Sequence, residues 1–533
     1  MWPLKVKNAV ILLFLTVVGL LILSGAIISR GKTTPIAFTN VAEKMDIGNG
    51  RINGIAWVDY DNDGDLDLFS ARLYRNDGGS FTDVTVESGL DPEDYGQGIA
   101  AADINNDGCL DVYVTRSFKN DRLWKNNCDG TFTDVALESG IENYSEPTGV
   151  AWSDYNNDGF IDIYVANNSG LADPANYTAD LYVPNRLFRN NKDGTFTEVA
   201  QTSGVTGLTT CYPKELRKKG DFGQLLKDNF KVAFQPIWVD YNDDSLPDLF
   251  VATDTFVSPL YKNNGDGTFT DVTEESGLCR LNTGMGVTVS DVDNDGDMDI
   301  YVANSSENYL WINEGGFFTE SAKKAGIAEI GVGWGLNFFD YDNDGDEDLY
   351  VANGRLMAGD QYTDNKGSDL DVLYENLGGL FFKEVSSEVM QIANYPSTGS
   401  AVGDYNNDGF VDLFVTHFIK NSEEAKHNLW KNSGNDNNWI TIIVEGTTTN
   451  RAAIGAKVVL MTKDGKTQTR VVRSGESFNS QNSLWLTFGL GKNRGIKILT
   501  IYWPSGVTQI IENPKINEIL RVLERQQSTK SAL

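Results

Sequence analysis

The sequence predicts an all-β protein: a seven-bladed β-propeller with acidic hairpin loops, then a small β-sandwich, with an apolar helix ahead of both. Three observations carry this prediction. An acidic nine-residue pattern recurs seven times, each copy is followed by strand-like alternation and a second recurring signature, and near residue 438 the repeat gives way to a different set of short alternating runs.

The first element, residues 1–32, is basic at Lys5 and Lys7 and then uncharged and apolar from 9 to 28. That run exceeds the ~7 to 15 residues of a signal-peptide core and approaches the ~20 that span a bilayer, so it reads as an uncleaved signal anchor with the rest of the chain outside. Cleavage after Ser24 and Ala26 is the alternative, and Arg30 and Lys32 place positive charge on the far side as well.

The propeller is expected over residues 36–437. The acidic pattern is Asp-x-Asp/Asn-x-Asp-x-x-x-Asp, and in six copies the sixth position is Gly. Oxygen ligands at positions 1, 3, 5 and 9, a backbone carbonyl at position 7 and a Gly at the sharp turn are what Ca²⁺ needs to replace its water shell. The expected ligand sets are Asp59, Asp61, Asp63, Asp65 and Asp67; Asp103, Asn105, Asp107, Cys109 and Asp111; Asp154, Asn156, Asp158, Phe160 and Asp162; and Asp240, Asn242, Asp244, Leu246 and Asp248. The remaining three are Asp291, Asp293, Asp295, Asp297 and Asp299; Asp340, Asp342, Asp344, Asp346 and Asp348; and Asp404, Asn406, Asp408, Phe410 and Asp412. Up to seven Ca²⁺ are therefore expected. Loops with Asp at position 3 should bind most tightly, and the Asp240 loop, where Ser245 replaces the Gly, most weakly. An EF-hand is excluded: its twelfth position is Glu, whereas here it is Ser70 or a Val, and strand-forming runs such as Leu-Asp-Val-Tyr-Val at 110–114 follow.

Each loop leads to a Leu-x-Lys/Arg-Asn run in several copies and then to a Phe-Thr run, as at 73–85 and 123–136, which gives four strands per unit at a pitch near 50 residues. The seventh unit ends at Leu429-Trp430-Lys431-Asn432 without its Phe-Thr strand. Phe38-Thr39-Asn40 at the other end of the propeller is predicted to supply it and close the ring. Insertions at 168–185, 206–232 and 354–371 all emerge, by strand parity, on the face opposite the acidic loops, which makes that face the expected recognition surface.

Residues 438–525 carry alternating runs at 439–444, 456–461, 468–473, 484–488, 497–503 and 518–523, the pattern of a small sandwich, with a short tail at 526–533. Here Asn450-Arg451-x-x-Ile454-Gly455-Ala456, Arg473-Ser474-Gly475, Ser480-Gln481, Phe488-Gly489-Leu490-Gly491 and Trp503-Pro504-Ser505-Gly506 resemble the ASPIC/UnbV module. The preceding repeats resemble FG-GAP/VCBS repeats, similar to the integrin α propeller, and the combination is similar to the cartilage acidic protein family and its bacterial relatives. The resemblance implies an exported calcium-binding protein used in adhesion or extracellular interaction, without established catalysis. Arg451, Arg473 and Gln481 are the next candidates for recognition should the insertion face not serve.

The formal charge of −31 disfavours nucleic acid, and seven Ca²⁺ would roughly halve it. Four cysteines in an exported chain suggest disulfides: Cys109 with Cys128 on one face of one blade, and Cys211 with Cys279 at equivalent ends of adjacent blades. The expected partner is an extracellular protein or glycan. The alternative is a polymer-acting hydrolase or lyase using carboxylates. Against it, the chain has two histidines, His417 and His427, and no HExxH or GxSxG motif.

Overall fold

The computed structural model describes residues 38–526 apart from 49–53, 93–95, 169–182, 212, 214–231, 255–256, 330, 355–369, 392–394 and 419–425. The apolar run at 9–28 and most of the three insertions lie outside the described residues. Among the described residues, no helix is long and apolar enough to cross a membrane.

Seven four-stranded antiparallel sheets follow one another in the described chain. Their first strands are Ala56–Val58, Ile99–Ala102, Pro147–Ser153, Val232–Val239, Gly284–Ser290, Gly333–Phe339 and Ser397–Gly403. Each first strand packs against the first strand of the next sheet, and the seventh packs against the first, so the sheets run in a closed circuit. The arrangement is consistent with a propeller. Six sheets are simple up-and-down meanders, as in Gly284–Ser290, Asp299–Asn304, Tyr309–Glu314 and Phe317–Glu320. The seventh takes its outer strand from Phe38–Asn40, whose Phe38, Thr39 and Asn40 pair with Asn432, Lys431 and Trp430 as expected from the missing Phe-Thr segment.

The inner strands are almost wholly buried, and those at Gly284–Ser290 and Ser397–Gly403 carry mostly small or β-branched residues, as crowding by neighbours on both sides favours. Five of them contain a register shift near their start, such as that between Gly284 and Val287, which bends the strand. Short helices at Ala200–Ser203, Ala322–Ala325 and Ser386–Val389 follow the outer strands of the third, fifth and sixth sheets.

The C-terminal module has a three-stranded sheet (Asn438–Glu445 between Leu486–Gly491 and Ile519–Leu523) and a four-stranded one (Lys457–Thr462, Thr467–Val471, Ile496–Tyr502 and Thr508–Glu512). The strand at Thr508–Glu512 has no counterpart among the expected runs. It is an edge strand whose burial alternates but whose residues do not follow it, Gln509 being buried and Ile510 exposed, so its hydrophobic signal is weak. One hydrophobic cluster runs from Tyr113, Trp152 and Ile163 of the second and third sheets into Ile440, Phe488 and Trp503 of the module. Module and sheets thus share a core.

Candidate functional site

Each acidic loop joins the first and second strands of a sheet, and its carboxylates hold the turn. In five loops the position 1 Asp accepts backbone N–H bonds from positions 5 and 6, as Asp340 does from Asp344 (3.0 Å) and Gly345 (2.8 Å), whereas Asp291 accepts from position 6, Gly296 (3.2 Å). The position 9 Asp opens the second strand. In six loops it accepts from the position 2 N–H on one oxygen, and in all seven from the backbone N–H of a third-strand Asn on the other, as Asp67 does from Tyr60 (3.1 Å) and Asn76 (2.7 Å). Any residue could supply that N–H; the Asn of the Lys/Arg-Asn signature is explained by its side chain, which donates to the carbonyl of position 8, as Asn76 does to Leu66 (3.0 Å). The same Asn side chain also reaches back to the preceding sheet: Asn126 donates to the Tyr60 carbonyl (2.8 Å) and Asn76 to that of Tyr405 (2.6 Å).

Carboxylate oxygens converge within 4.8 Å of one another in four loops: Asp59, Asp61 and Asp67; Asp240, Asp244 and Asp248; Asp291, Asp293 and Asp295; and Asp340, Asp342 and Asp344. Asp63, Asp299 and Asp348 stand outside those groups. In the loops at Asp103 and Asp404 the position 3 Asn donates to the position 5 Asp, Asn105 to Asp107 (2.8 Å) and Asn406 to Asp408 (3.0 Å). In the third loop the N–H of Asp158 is held by Asp154 and Asn156. Burial pushes the position 9 carboxyls far up, Asp67 to about 9 and Asp248 and Asp299 to about 8, and desolvation raises Asp59 to about 6 and Asp404 to about 7. Asp59 Oδ1 is buried without a hydrogen-bond partner. Convergent carboxylates of this kind, at least one buried in each group, could accept a cation.

The acidic loops do not face open solvent as a group, because the module sits on them. Lys457 pairs with Asp243 (2.8 Å), Lys466 with Asp346 (2.9 Å), Arg470 with Glu347 (2.9 Å) and Arg521 with Asp59 (3.9 Å). The Gly491 N–H bonds the Asn343 carbonyl (2.7 Å), and Asn435 and Asn437 both donate to the Asp342 carbonyl.

From this cap one segment, residues 473–483, enters the space enclosed by the inner strands and bonds to all seven sheets. The Gln481 carbonyl accepts from Trp57 N–H and its Oε1 from Ala101 N–H. The Ser474 carbonyl accepts from Trp152, Asn479 N–H donates to Gln235 Oε1, and Ser477 exchanges both backbone bonds with Val287. Ser477 Oγ accepts from Leu336 N–H, and Asn482 Oδ1 accepts from Asn337 and from Val402 N–H. Phe478 at the tip packs with Met285 and Trp334, at the strand ends away from the acidic loops. This plug was not legible as such: its motif residues resembled a family signature, but their partners lie 80 or more positions away.

The plug engages two of the fallback recognition candidates. Gln481 is fully buried and half-buried Arg473 is bound to Glu476 and the Val289 carbonyl, so neither is free for recognition; Arg451 holds Asn106 and Glu445. Both cysteine pairs are disulfides, Cys109–Cys128 with Cα atoms 5.7 Å apart and Cys211–Cys279 at 5.9 Å, so Cys109 offers only its carbonyl to the second loop. The histidines meet in the seventh sheet. His417 Nδ1 lies 3.0 Å from Ser397 Oγ, which donates to Asp371 (2.8 Å), and burial lowers the imidazole to about 3. All three side chains are buried among the described residues.

Residues 70–114, 110–165, 240–302 and 291–351 match the FG-GAP-like repeat, and residues 446–529 match the ASPIC and UnbV family. Cartilage acidic protein 1 of Xenopus tropicalis is 24% identical over 297 residues, covering 52% of this chain and 42% of that protein, and the Homo sapiens protein is 23% identical over 284 residues with the same coverage. The chain thus spans about two fifths of the length of these curated relatives. Among solved structures, Saccharomyces cerevisiae Sqt1 is 10% identical with a TM-score of 0.40, covering 90% of this chain and 98% of that one. With the repeats along the circuit and the matched module on top of it, this chain carries FG-GAP-like repeats and a C-terminal ASPIC and UnbV domain and is similar to cartilage acidic protein 1.

Proposed function

We propose that this is an exported, calcium-loaded, seven-bladed propeller capped by a small β-sandwich, and that it works as an extracellular interaction scaffold rather than an enzyme. The observation that carries the reading is the plug. The axial channel, where a propeller can hold a ligand, is filled by residues 473–483 and bonded to every sheet, so the molecule's own chain occupies that place. The acidic loops lie beneath the cap, which suits a structural cation better than a catalytic one.

Hard oxygen donors fit Ca²⁺: Asp59, Asp61 and Asp67 would hold it in the first loop and Asp340, Asp342 and Asp344 in the sixth, with Asp240, Asp244 and Asp248 and Asp291, Asp293 and Asp295 doing so in the fourth and fifth. Asp59 Oδ1, buried without a partner, supports that fit. Recognition then belongs to the face away from the cap, where the insertions begin and end. Trp334 there donates to the Gly354 carbonyl (2.7 Å), tying the plug-tip cluster to the start of one insertion. The test is a protein and glycan array probed with and without Ca²⁺, using the full chain and a deletion of 206–232. The deletion should lose binding while keeping the calcium-dependent melting shift; full retention of binding would move recognition elsewhere.

A further inference from the structure

The residue at position 4 of each acidic loop was not among the expected ligands, yet it has a regular role. It is Asn62, Asn106, Asn157, Asp243, Asn294, Asn343 and Asn407 in turn, all with φ between 53° and 62°. In that left-handed conformation, which Asn tolerates well, the side chain points along the circuit to the next loop. Asn62 donates to the Gly108 carbonyl (3.0 Å), Asn106 to Gly159 (2.9 Å), Asn157 to Ser245 (3.3 Å) and Asn343 to Gly409 (2.8 Å), each acceptor being position 6 of the following loop. Asn294 donates to Asp346 Oδ1 (2.9 Å), and Asn407 closes the circle on the Gly64 carbonyl (3.2 Å) and Asp65 (2.8 Å).

The fourth loop breaks the pattern, because the carboxylate of Asp243 has no proton to donate to Gly296. Lys457 of the module fills the gap: its Nζ donates both to Asp243 Oδ1 (2.8 Å) and to the Gly296 carbonyl (3.3 Å). One ammonium thus replaces an Asn amide and ties the cap to the ring.

We infer that the seven loops take up cations as one linked ring, with Lys457 the positioning residue that completes it between the fourth and fifth loops. The inference rests on the calcium reading above and goes beyond it. A cation that orders one turn fixes its position 4 side chain and its position 6 carbonyl, which are the contacts of the loops on either side, so each filled loop lowers the ordering cost of its neighbours.

The experiment is calorimetric Ca²⁺ titration of the full chain, calcium-free at the start, for wild type, Lys457→Met, Asp243→Asn and the double variant. Lys457 is partly exposed, so the fold should survive its loss. Wild type should titrate more steeply than independent sites allow. Lys457→Met should flatten the isotherm and raise its midpoint by about two- to five-fold, the size expected for loss of one partly exposed charged contact. Asp243→Asn restores a donor at position 4, so the double variant should regain the steepness. A merely structural role for Lys457 would not be rescued from a different domain. Superimposable isotherms for wild type and Lys457→Met, or no rescue in the double variant, overturn the coupling while leaving calcium binding intact. Absence of Ca²⁺ uptake in all four proteins overturns the calcium reading and the coupling together.

Discussion

Ser245 stands where the other six loops have Gly, and it adopts φ 67°. A side chain in that region costs about 1 kcal/mol or more because Cβ approaches the following carbonyl. Ser245→Gly should therefore raise stability in calcium by about 1 kcal/mol, read as a higher denaturant midpoint at constant slope. No gain would mean that the extra freedom of Gly in the unfolded chain cancels the strain relief. Elsewhere the glycine at this position answers to more than φ: at Gly409 an added Cβ would lie 1.8 Å from the Trp439 indole of the module. Spacing within the repeat exposed the turn requirement, since all of its residues fall within nine positions. It could not expose the Trp439 approach or the position 4 Asn bridges, because those partners sit in a neighbouring sheet or in the cap, and single-chain periodicity carries no information about them.

Strand alternation was legible for the same reason, one local period per element, and so was the transfer of Phe38–Asn40 to the seventh sheet, which followed from a counted gap. The segment 473–483 has no period of its own. It is read by seven different strands, through Ser, Asn and Gln side chains and free backbone groups that would otherwise remain unsatisfied along the inner edges. Its one large apolar residue, Phe478, is 7% exposed and stacks edge-on against Trp334 with ring centroids 4.9 Å apart. Phe478→Ala should cost about 3 kcal/mol, the lower end for a buried Phe truncation because part of the cluster faces outward. Urea unfolding followed by tryptophan fluorescence checks this. A cost below about 1 kcal/mol would mean that the hydrogen bonds alone seat the plug.

Over the whole molecule the charge is −31, and part of the acidic set, the position 9 carboxylates of the loops and, save Asp240, those of position 1, is buried where a charge is hardest to tolerate. Lys457, Lys466, Arg470 and Arg521 offset some of it through contacts with the loops, and the rest must bind a cation or a proton. The sign of the pH response follows. Burial raises Asp67 to about 9 and Asp248 and Asp299 to about 8, so in calcium-free buffer the folded state holds protons that the unfolded chain has released above about pH 4. Their stabilising contribution is complete below the unfolded pKa and is lost as pH rises through 8 to 9. With chelator present, Tm should accordingly fall between pH 5 and pH 8. Under the proposed reading Ca²⁺ would replace those protons and should raise Tm most at the alkaline end. At ~1 mM Ca²⁺ and a site constant near 0.1 mM, each filled loop adds about 1.4 kcal/mol. Because the cap shares one hydrophobic cluster with the second and third sheets and bonds to all seven, cap and sheets should melt in a single transition at every pH. A Tm indifferent to chelator at pH 8, or a separate early transition for the module, would sink the picture of a cation-held ring locked by its own C-terminal domain.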